Sequence, residues 1–310
     1  MFEKIYDNLG PKKLIESMIK TNQISHAIIL AGEKGLGKLT FAKEIAKELV
    51  LNKNINNINN INNITDINII DANLCGSILI NNIREIKNKI NIAPHESQKK
   101  VQIIANCDRM TVAAQNALLK SLEEPSSSTI FILTVSNLNS LLETILSRAT
   151  IINIKPVFEK NAIKILSESY PKTNISDIIR YVKIFGGNIG LIKSILDNKN
   201  NILNLLEDLL FYIITNNQFE VLKIFSKYKT NKTEFIYFLE LFKIYFEKIL
   251  KIYLKNKNLS EVLIAHHSDY FNYLENKIYI SDLISKALEY LDSNINFNLL
   301  LTWLSINLFY

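Results

Sequence analysis

A glycine-rich segment between two regular apolar patterns constrains the fold of this 310-residue chain more than any other feature. The segment, GEKGLGKLT (32–40), follows the short apolar run HAIILAG (26–32). After it, apolar residues recur every four positions from Lys38 to Val50, which predicts a helix. A buried strand, a glycine loop and a helix in this order are typical of a phosphate-binding loop in an α/β domain.

The residues of this loop have the chemistry that phosphate binding requires. Glycines let the backbone bend and turn its N–H groups toward an anion, and a lysine side chain can reach the outer phosphates. The candidate nucleotide-binding residues are Gly32, Gly35, Gly37, Lys38 and Thr40. A glycine turn that merely joins a strand to a helix is the alternative interpretation.

The loop departs from the full phosphate-loop pattern at the position that holds magnesium. A serine or threonine is needed directly after the lysine, but the chain has Leu39 there and Thr40 one position late. The sequence therefore predicts a degenerate phosphate loop, and it leaves open whether the loop binds ATP or ADP.

A second departure lies at the end of the β-rich run VQIIANCDRM (101–110). An ATPase needs acidic residues there, to hold the magnesium shell and to orient the attacking water. Ala105 and Asn106 occupy those positions, and neither side chain can act as a base. Asp108 remains, and a single aspartate after a strand is usually a cap or a salt-bridge partner. Both departures remove the metal-dependent half of hydrolysis, so we expect no intrinsic catalysis and no metal site.

Strand-like and helix-like patterns alternate through the first half of the chain. The runs KKVQIIAN (99–106) and TIFILTVSN (129–137) predict buried parallel strands. Between them, a stretch rich in alanine and leucine predicts a helix from Thr111 to Glu124, which Pro125 ends. This alternation predicts a doubly wound α/β domain.

After residue 155 the strand signals fade and helical patterns dominate. We expect an α/β domain over 1–155, a small helical domain over 156–200 and a longer all-helical domain over 201–310. The Asn/Ile-rich insert 51–64 lacks varied side chains for packing, so it is predicted to be a surface loop or an extension of variable length.

Composition and charge exclude several classes of protein. A hydrophobic fraction of 48% is ample for packed cores, and a net charge of +6 permits nucleic-acid contact without indicating it. The two cysteines cannot form a disulfide framework or a four-thiolate zinc site, and Cys107 at a strand end is predicted to be a small buried residue. No apolar run approaches the ~20 residues of a membrane helix, and the chain does not start like a signal peptide. We therefore expect a cytoplasmic protein.

Several of these motifs together resemble a known family. The segment 99–149 closely resembles the AAA+ domain of bacterial DNA polymerase III clamp-loader subunits. Its blocks NALLKSLEEP (116–125) and TILSRA (144–149) are highly characteristic in combination, and segments 25–49 and 81–90 fit the same family in the same order. The resemblance is strong over about the first 155 residues and weaker, by layout alone, over the helical regions.

With these departures from the family pattern, the chain most resembles the family's delta-prime subunits. Those subunits do not hydrolyse ATP and help to load the sliding clamp onto primed DNA. The resemblance implies that Ser147-Arg148 is an arginine-finger motif, inserted into the ATP site of the neighbouring motor subunit. A guanidinium presented by a neighbour can neutralise charge that develops on the transferred phosphate. The family motif ends in cysteine where this chain has Ala149. A structural arginine at a strand–helix junction is the alternative.

Two further positions fit a subunit without hydrolysis of its own. Ser136 falls at the end of the second β-rich run, where the family carries its first sensor residue. In the segment GGNIGLIKSIL (186–196), Gly190 and Leu191 stand where the second sensor would carry an arginine.

The resemblance also implies the other properties of the chain. It implies an AAA+ type P-loop domain with a parallel sheet, a helical lid over 156–200 and an oligomerising collar over 201–310. The expected partners are the motor (gamma/tau) and delta subunits, with the sliding clamp and primed DNA reached through the complex. No cofactor is required, although ATP or ADP could bind without hydrolysis. Zinc is not expected, because the Asn/Ile-rich insert replaces the family's cysteine module and leaves Cys75 alone downstream.

Two alternatives belong to other functional classes. One is an ATP-hydrolysing AAA+ motor subunit of the same complex, which Leu39, Ala105 and Asn106 disfavour. The other is a phosphate-loop kinase of small molecules, for which the helical last third offers no cluster of acidic and arginine residues. Any DNA polymerase activity would describe the assembly, because nothing in the sequence resembles the metal-binding carboxylates of a polymerase.

Overall fold

A computed structural model of the chain divides into two compact units. The structure describes residues 2, 5–50, 65–90, 94, 97, 99–126, 128–197, 202–256, 279–293 and 295–309. The first unit comprises residues 1–162 and 187–191, and the second comprises 163–186 and 192–310. The Asn/Ile-rich insert 51–64, predicted to be a surface loop, lies outside the described residues. The predicted three-domain division stays a prediction.

The first unit is built on a five-stranded sheet in the order β2-β3-β4-β1-β5, in which every neighbouring pair is parallel. The strands are β1 (Ala27–Ala31), β2 (Ile67–Asp71), β3 (Lys100–Ala105), β4 (Thr129–Val135) and β5 (Thr150–Asn153). β1, β3 and β4 are buried along their whole length, as the continuous apolar runs in the sequence predicted. β2 and β5 were not predicted.

Helices cover both faces of this sheet, and each face has its own apolar core. Ile28 and Leu30 of β1 point to one core with residues of α1 and α2, whereas Ala27 and Ile29 point to the other with residues of α4 and α5. The helices of this part of the chain are α1 (Leu9–Lys20), α2 (Lys38–Val50), α3 (Ala72–Cys75), α4 (Ile80–Ile90), α5 (Val112–Glu123) and α6 (Glu143–Leu146). This arrangement confirms the predicted α/β fold class with a parallel sheet covered by helices.

The rest of the described chain is helical, as predicted. The helices are α7 (Glu159–Ser169), α8 (Ile175–Phe185), α9 (Ile189–Asp197), α10 (Ile202–Ile214), α11 (Gln218–Ser226), α12 (Lys232–Asn256), α13 (Tyr279–Asp292) and α14 (Phe297–Asn307). None of the helices in the described ranges is long and apolar enough to cross a membrane.

The long helix α12 is the centre of the second unit. It contacts α8, α10 and α13, which fits the prediction of a helix packed on several sides. Its fully buried aromatic residues lie along one broad face, and Tyr237 is half-buried outside that face. Phe235 contacts Phe225 of α11 and Phe297 of α14, with ring centroids 5.4 and 5.5 Å apart. Phe238 stacks on Tyr228 at 4.9 Å. Aromatic pairs of this kind stabilise a core beyond the area that they bury.

Candidate nucleotide site and arginine motif

The phosphate loop runs from the end of β1 into the first turn of α2 and bends at three glycines. Gly32, Gly35 and Gly37 have φ angles of 153°, 93° and 78°, which a residue with a Cβ adopts only with strain. A Cβ on Gly32 would in addition lie 2.5 Å from the carbonyl oxygen of Ile154. The shape of the loop therefore depends on these glycines.

The side chain of Lys38 folds back onto its own loop. Its Nζ donates to the carbonyl oxygens of Gly32 and Glu33, the second at 2.8 Å, and to the Oγ of Ser136 at 3.3 Å. Lys38 is 6% exposed, and this burial lowers its pKa to about 8, although the nearby carboxylates of Asp108 and Glu33 act in the opposite direction. Two predicted nucleotide-site residues, Lys38 and Ser136, are thus in contact.

The position that would hold magnesium is part of the apolar core. Leu39 is half-buried and packs against the cluster that includes Phe41 and Ile45, whereas Thr40 is exposed. A hydrocarbon side chain supplies no oxygen ligand, and Mg²⁺ requires oxygen ligands. Leu39, which replaces the magnesium-binding residue of the pattern, therefore has a packing role.

The end of β3 also lacks the acidic pair with which an ATPase holds magnesium and activates water. Ala105 is fully buried, and Asn106 follows it with a left-handed backbone, at a φ of 58°. The Asn106 side chain donates to Oδ1 of Asp71 at 2.7 Å, and its backbone N–H donates to Oγ1 of Thr134 at 3.0 Å. The amide of Asn106 therefore ties the ends of β2 and β3 together, a use that an acidic pair at these positions would not serve.

Asp108 acts as a cap, as predicted, but for the turn after β4. Its carboxylate accepts hydrogen bonds from the backbone N–H of Ser136 at 2.9 Å and of Asn137 at 2.7 Å. Ser140 Oγ approaches the same carboxylate at 3.4 Å. Hydrogen bonds to an ionised acceptor are among the stronger ones in proteins, so Asp108 fixes the segment that carries Ser136.

The start of α9 packs directly on the phosphate loop. The backbone N–H of Gly190 donates to the carbonyl oxygen of Gly35 at 3.0 Å, and Nδ2 of the buried Asn188 donates to the carbonyl oxygen of Lys34 at 2.8 Å. A Cβ on Gly190 would lie 2.4 Å from the oxygen of Gly35. Position 190 therefore has no room for the arginine of a second sensor in this arrangement.

Arg148 lies at the surface between α6 and β5. Its side chain is 36% exposed and forms an ion pair with Glu123 at 2.9 Å. The same guanidinium donates to the carbonyl oxygen of Thr144 at 2.9 Å and contacts Oγ of Ser147 at 3.3 Å. Ala149 packs against the apolar core on the inner side, so the alanine does not displace the arginine from the surface.

The two predicted functional segments lie at opposite ends of two neighbouring strands. β5 runs parallel to β1, with Thr150 beside Ile28 and Asn153 beside Ala31. The phosphate loop follows the carboxyl end of β1, whereas Arg148 precedes the amino end of β5. The four residues of β5 separate these two ends by about 13 Å, at the usual rise of a strand. Arg148 is therefore not part of the phosphate-loop site of its own chain.

The match to known proteins falls on the sheet unit. Residues 10–158 match a protein family described as DNA polymerase III, delta subunit. Over these residues the chain is similar to the DNA polymerase III clamp-loader family. The characteristic segments of the resemblance, 99–149 among them, lie within this range.

Individual relatives include more than one kind of clamp-loader subunit. DNA polymerase III subunit gamma/tau of Mycoplasma pneumoniae is 28% identical over 212 residues, which cover 64% of this chain and 31% of that protein. Subunit delta-prime of Bacillus subtilis is 33% identical over 167 residues, which cover 51% of each chain. The chain thus spans about a third to a half of the curated relatives that it matches. The relatives do not separate the two kinds of subunit.

A solved structure with a similar overall extent is a gamma subunit-related protein of DNA polymerase III from Thermotoga maritima. It covers 95% of this chain and 98% of its own, at 20% identity and a TM-score of 0.46.

One buried polar residue of the sheet unit was not predicted from the sequence. Gln115 of α5 donates to the carbonyl oxygens of Met110 and Ser140, at 3.2 and 2.9 Å, and accepts from the N–H of Leu142 at 2.8 Å. It holds the connection that leads to α6 and Arg148. A glutamine at a core-facing position of an Ala/Leu-rich helix was the available signal.

The residues at this site suit a phosphate better than magnesium. The glycine backbone and Lys38 suit a phosphate, but Leu39 and Ala105 supply no oxygen ligand, and Asn106 supplies no carboxylate. Throughout the part of the chain that the structure describes, no group of three or more His, Cys, Asp and Glu side chains could hold a metal ion. We therefore derive no hydrolytic step at this site.

Proposed function

We propose that this chain is the delta-prime subunit of a bacterial DNA polymerase III clamp loader. In this role it does not hydrolyse ATP; it supplies Arg148 to the ATP site of the neighbouring motor subunit and so helps to place the sliding clamp on primed DNA. The polymerase activity belongs to the assembly in which the subunit works.

The observation that carries the proposal is the contrast between the two ends of the neighbouring strands β1 and β5. At the carboxyl end, the phosphate loop lacks the residues that would hold magnesium or activate water. At the amino end, about 13 Å of strand away, the partly exposed guanidinium of Arg148 cannot serve that loop but is available to another chain. This geometry supports catalysis in trans.

Arg148 would act on the charge of the transition state. As the terminal phosphoryl group transfers to water, negative charge spreads over its oxygens, and a guanidinium can hydrogen-bond two of them at once. Such an arginine contributes roughly 10³ to 10⁵ in rate in related phosphoryl-transfer systems. Ser147 precedes it and contacts both the guanidinium and the carbonyl oxygen of Thr144, so it supports the turn that presents the arginine.

The alternative is an ATP-hydrolysing motor subunit of the same complex, and the gamma/tau relatives favour it. It requires a magnesium site, and the side chains of Leu39, Ala105 and Asn106 speak against one. The delta-prime proposal accounts for all three residues.

The proposed partners follow from the family. They are the motor (gamma/tau) subunit, whose ATP site receives Arg148, and the delta subunit, with the sliding clamp and primed DNA reached through the complex. The proposed place of action is the bacterial cytoplasm. No cofactor is required: ATP or ADP could occupy the degenerate loop without hydrolysis, and zinc has no role. The helices over 201–310 are proposed to form the collar contacts, and those over 156–200 the lid.

The test is ATP hydrolysis by the cognate motor and delta subunits with clamp and primed DNA, with this chain added as wild type or as Arg148→Ala. We expect wild type to stimulate turnover and to hydrolyse no ATP alone. Arg148→Ala should assemble with unchanged affinity and lose the stimulation. Hydrolysis by the isolated chain would contradict the degenerate site, and full stimulation by Arg148→Ala would contradict the arginine role.

A further inference from the structure

The ion pair between Arg148 and Glu123 joins two separate elements. Glu123 is the last residue of α5, whereas Arg148 follows α6. The Glu123 Oε1 lies 2.9 Å from one terminal nitrogen of the guanidinium, and the other terminal nitrogen donates to Thr144 and Ser147. Contacts with described residues therefore engage three of the five guanidinium donors from two sides.

Contacts from two sides fix an otherwise flexible side chain. An arginine side chain has about 2 kcal/mol of rotamer entropy, which must be lost before it can bind a phosphate in one geometry. The backbone contact at Thr144 alone leaves the end of the side chain free to rotate about it. The carboxylate of Glu123 holds the second terminal nitrogen and so fixes the plane of the guanidinium.

The pair is also weak enough to be exchanged. The side chain of Glu123 is 49% exposed and that of Arg148 is 36% exposed, so water and salt screen their attraction. A nucleotide phosphate in a dry site is the stronger partner for the same N–H groups. Glu123 can thus hold the arginine before assembly without preventing its transfer to a phosphate.

We infer that Glu123 is a positioning residue for Arg148: it orients the guanidinium at the surface before the neighbouring ATP site receives it. This inference rests on the proposed function, because it gives Arg148 its role in trans. Glu123 itself does not touch the reacting groups.

The adjacent Glu124 provides a matched control. It follows α5, is exposed and carries the same charge, but it lines a separate cavity of about 380 Å³ with Lys87, Lys120 and Ser126. Removal of either carboxylate changes the net charge and the charge at the end of α5 equally. Loss of Glu123 alone removes the contact with Arg148.

The experiment measures stimulated ATP hydrolysis in the complete complex with Glu123→Gln, Glu123→Ala, Glu124→Gln and Arg148→Ala. We expect kcat to fall about twofold with Glu123→Gln, which keeps a hydrogen-bond acceptor, and about fivefold with Glu123→Ala, the range of a surface ion pair. The concentration of this chain at half-maximal stimulation should not change, and Glu124→Gln should match wild type. The defect of Glu123→Ala should shrink as salt rises from about 0.05 to 0.3 M, since salt weakens the pair in wild type.

The two hypotheses fail separately. Full activity of Arg148→Ala overturns the proposed function. Loss of activity in Arg148→Ala together with wild-type kcat in Glu123→Ala overturns the positioning role alone, as does a defect shared with Glu124→Gln. An increase of kcat in Glu123→Ala would mean that the carboxylate withholds the arginine, and it would also overturn the inference. In the Arg148→Ala background, Glu123→Ala should have no further effect.

Discussion

The phosphate loop and the arginine motif belong to one sheet domain but expose their basic groups in opposite ways. Lys38 is 6% exposed, and its ammonium group donates to carbonyl oxygens of its own loop and to Ser136. Arg148 is 36% exposed, and its partners include the half-exposed carboxylate of Glu123. One cation is buried and hydrogen-bonded within the domain, and the other is presented at its surface.

This difference shows that the glycine loop has a packing role within the domain. Gly35, Asn188 and Gly190 form close contacts that anchor the start of α9 on the loop, and Leu39 packs into the core. Substitutions in the loop should therefore change the free energy of unfolding. Substitutions in the arginine motif should change the activity of a partner instead.

The largest expected effect is on catalysis, from Arg148→Lys. Lysine keeps the charge but cannot bind two phosphate oxygens in a planar, bidentate geometry. Stimulated turnover at the neighbouring ATP site should fall by roughly 10² or more, while the free energy of unfolding changes by less than about 0.5 kcal/mol. Single-turnover hydrolysis and chemical denaturation check the two values. A large loss of stability would show that Arg148, like the loop residues, stabilises its own domain.

A loop substitution should show the reverse pattern. A Cβ on Gly35 would lie 2.3 Å from Oδ1 of Asn188, at a φ of 93°, so Gly35→Ala should lower the free energy of unfolding by about 2–4 kcal/mol. Gly37 also has a positive φ, of 78°, but a Cβ there meets no atom within 4 Å. Gly37→Ala is the matched control and should cost about 1–2 kcal/mol. Equal losses for the two variants in urea denaturation would show that α9 does not constrain the loop.

A smaller effect should separate Lys38 from a surface lysine by its pH dependence. The folded-state pKa of Lys38 is about 8, below its ordinary value of 10.5. Below pH 8 the ammonium is protonated in both states and its burial opposes folding. Between pH 8 and 10.5 the folded state releases the proton first, so stability rises relative to a chain without this group. The stability of wild type minus that of Lys38→Met should thus increase by on the order of 2 kcal/mol over this window.

Denaturation of both proteins at a series of pH values checks this expectation. A constant difference between wild type and Lys38→Met would show that the ammonium of Lys38 is as well solvated as that of an exposed lysine. Because both chains carry the same other titrating groups, those groups cancel in the difference.

The smallest expected effect is a difference in reactivity between the two thiols, without a change in stability. Cys75 is exposed, whereas Cys107 is fully buried beside Asp108, and burial raises the pKa of its thiol. A disulfide reagent should therefore label Cys75 quickly and Cys107 only at the rate of unfolding. Cys75→Ser should remove the fast phase. Rapid labelling of Cys107 would mean that the turn capped by Asp108 opens readily.

The sequence predicted the central elements of the fold because their patterns are local. The continuous apolar runs of β1, β3 and β4 and the four-residue spacing of α2 identify buried strands and a packed helix. β2 follows the Asn/Ile-rich insert, so INIID (67–71) has no contrast with the residues before it. β5 is four residues long, and only Ile152 in it is buried.

The candidate site was predictable where a motif carries it and not where distant residues meet. The loop glycines, Lys38 and Arg148 follow from spacing and from the family resemblance. By contrast, the pairs Asn188–Lys34 and Glu123–Arg148 are far apart in the sequence and meet only in the folded chain. No local sequence pattern predicts such contacts. Gln115 gave a weak signal, as a polar residue on a core-facing helix position.

The parallel order of β1 and β5 has a consequence for how such domains associate. Consider a contact that joins the Arg148 end of one domain to the phosphate-loop end of another. It uses two different surfaces, so it cannot have two-fold symmetry and is heterologous. Contacts of this kind give an assembly a direction, with each member acting on the next. Under the proposed function, this chain presents the arginine but lacks the metal ligands, so it stands at one terminus of the series. In that role it completes the site of one neighbour and has no catalytic site of its own for a further member to complete.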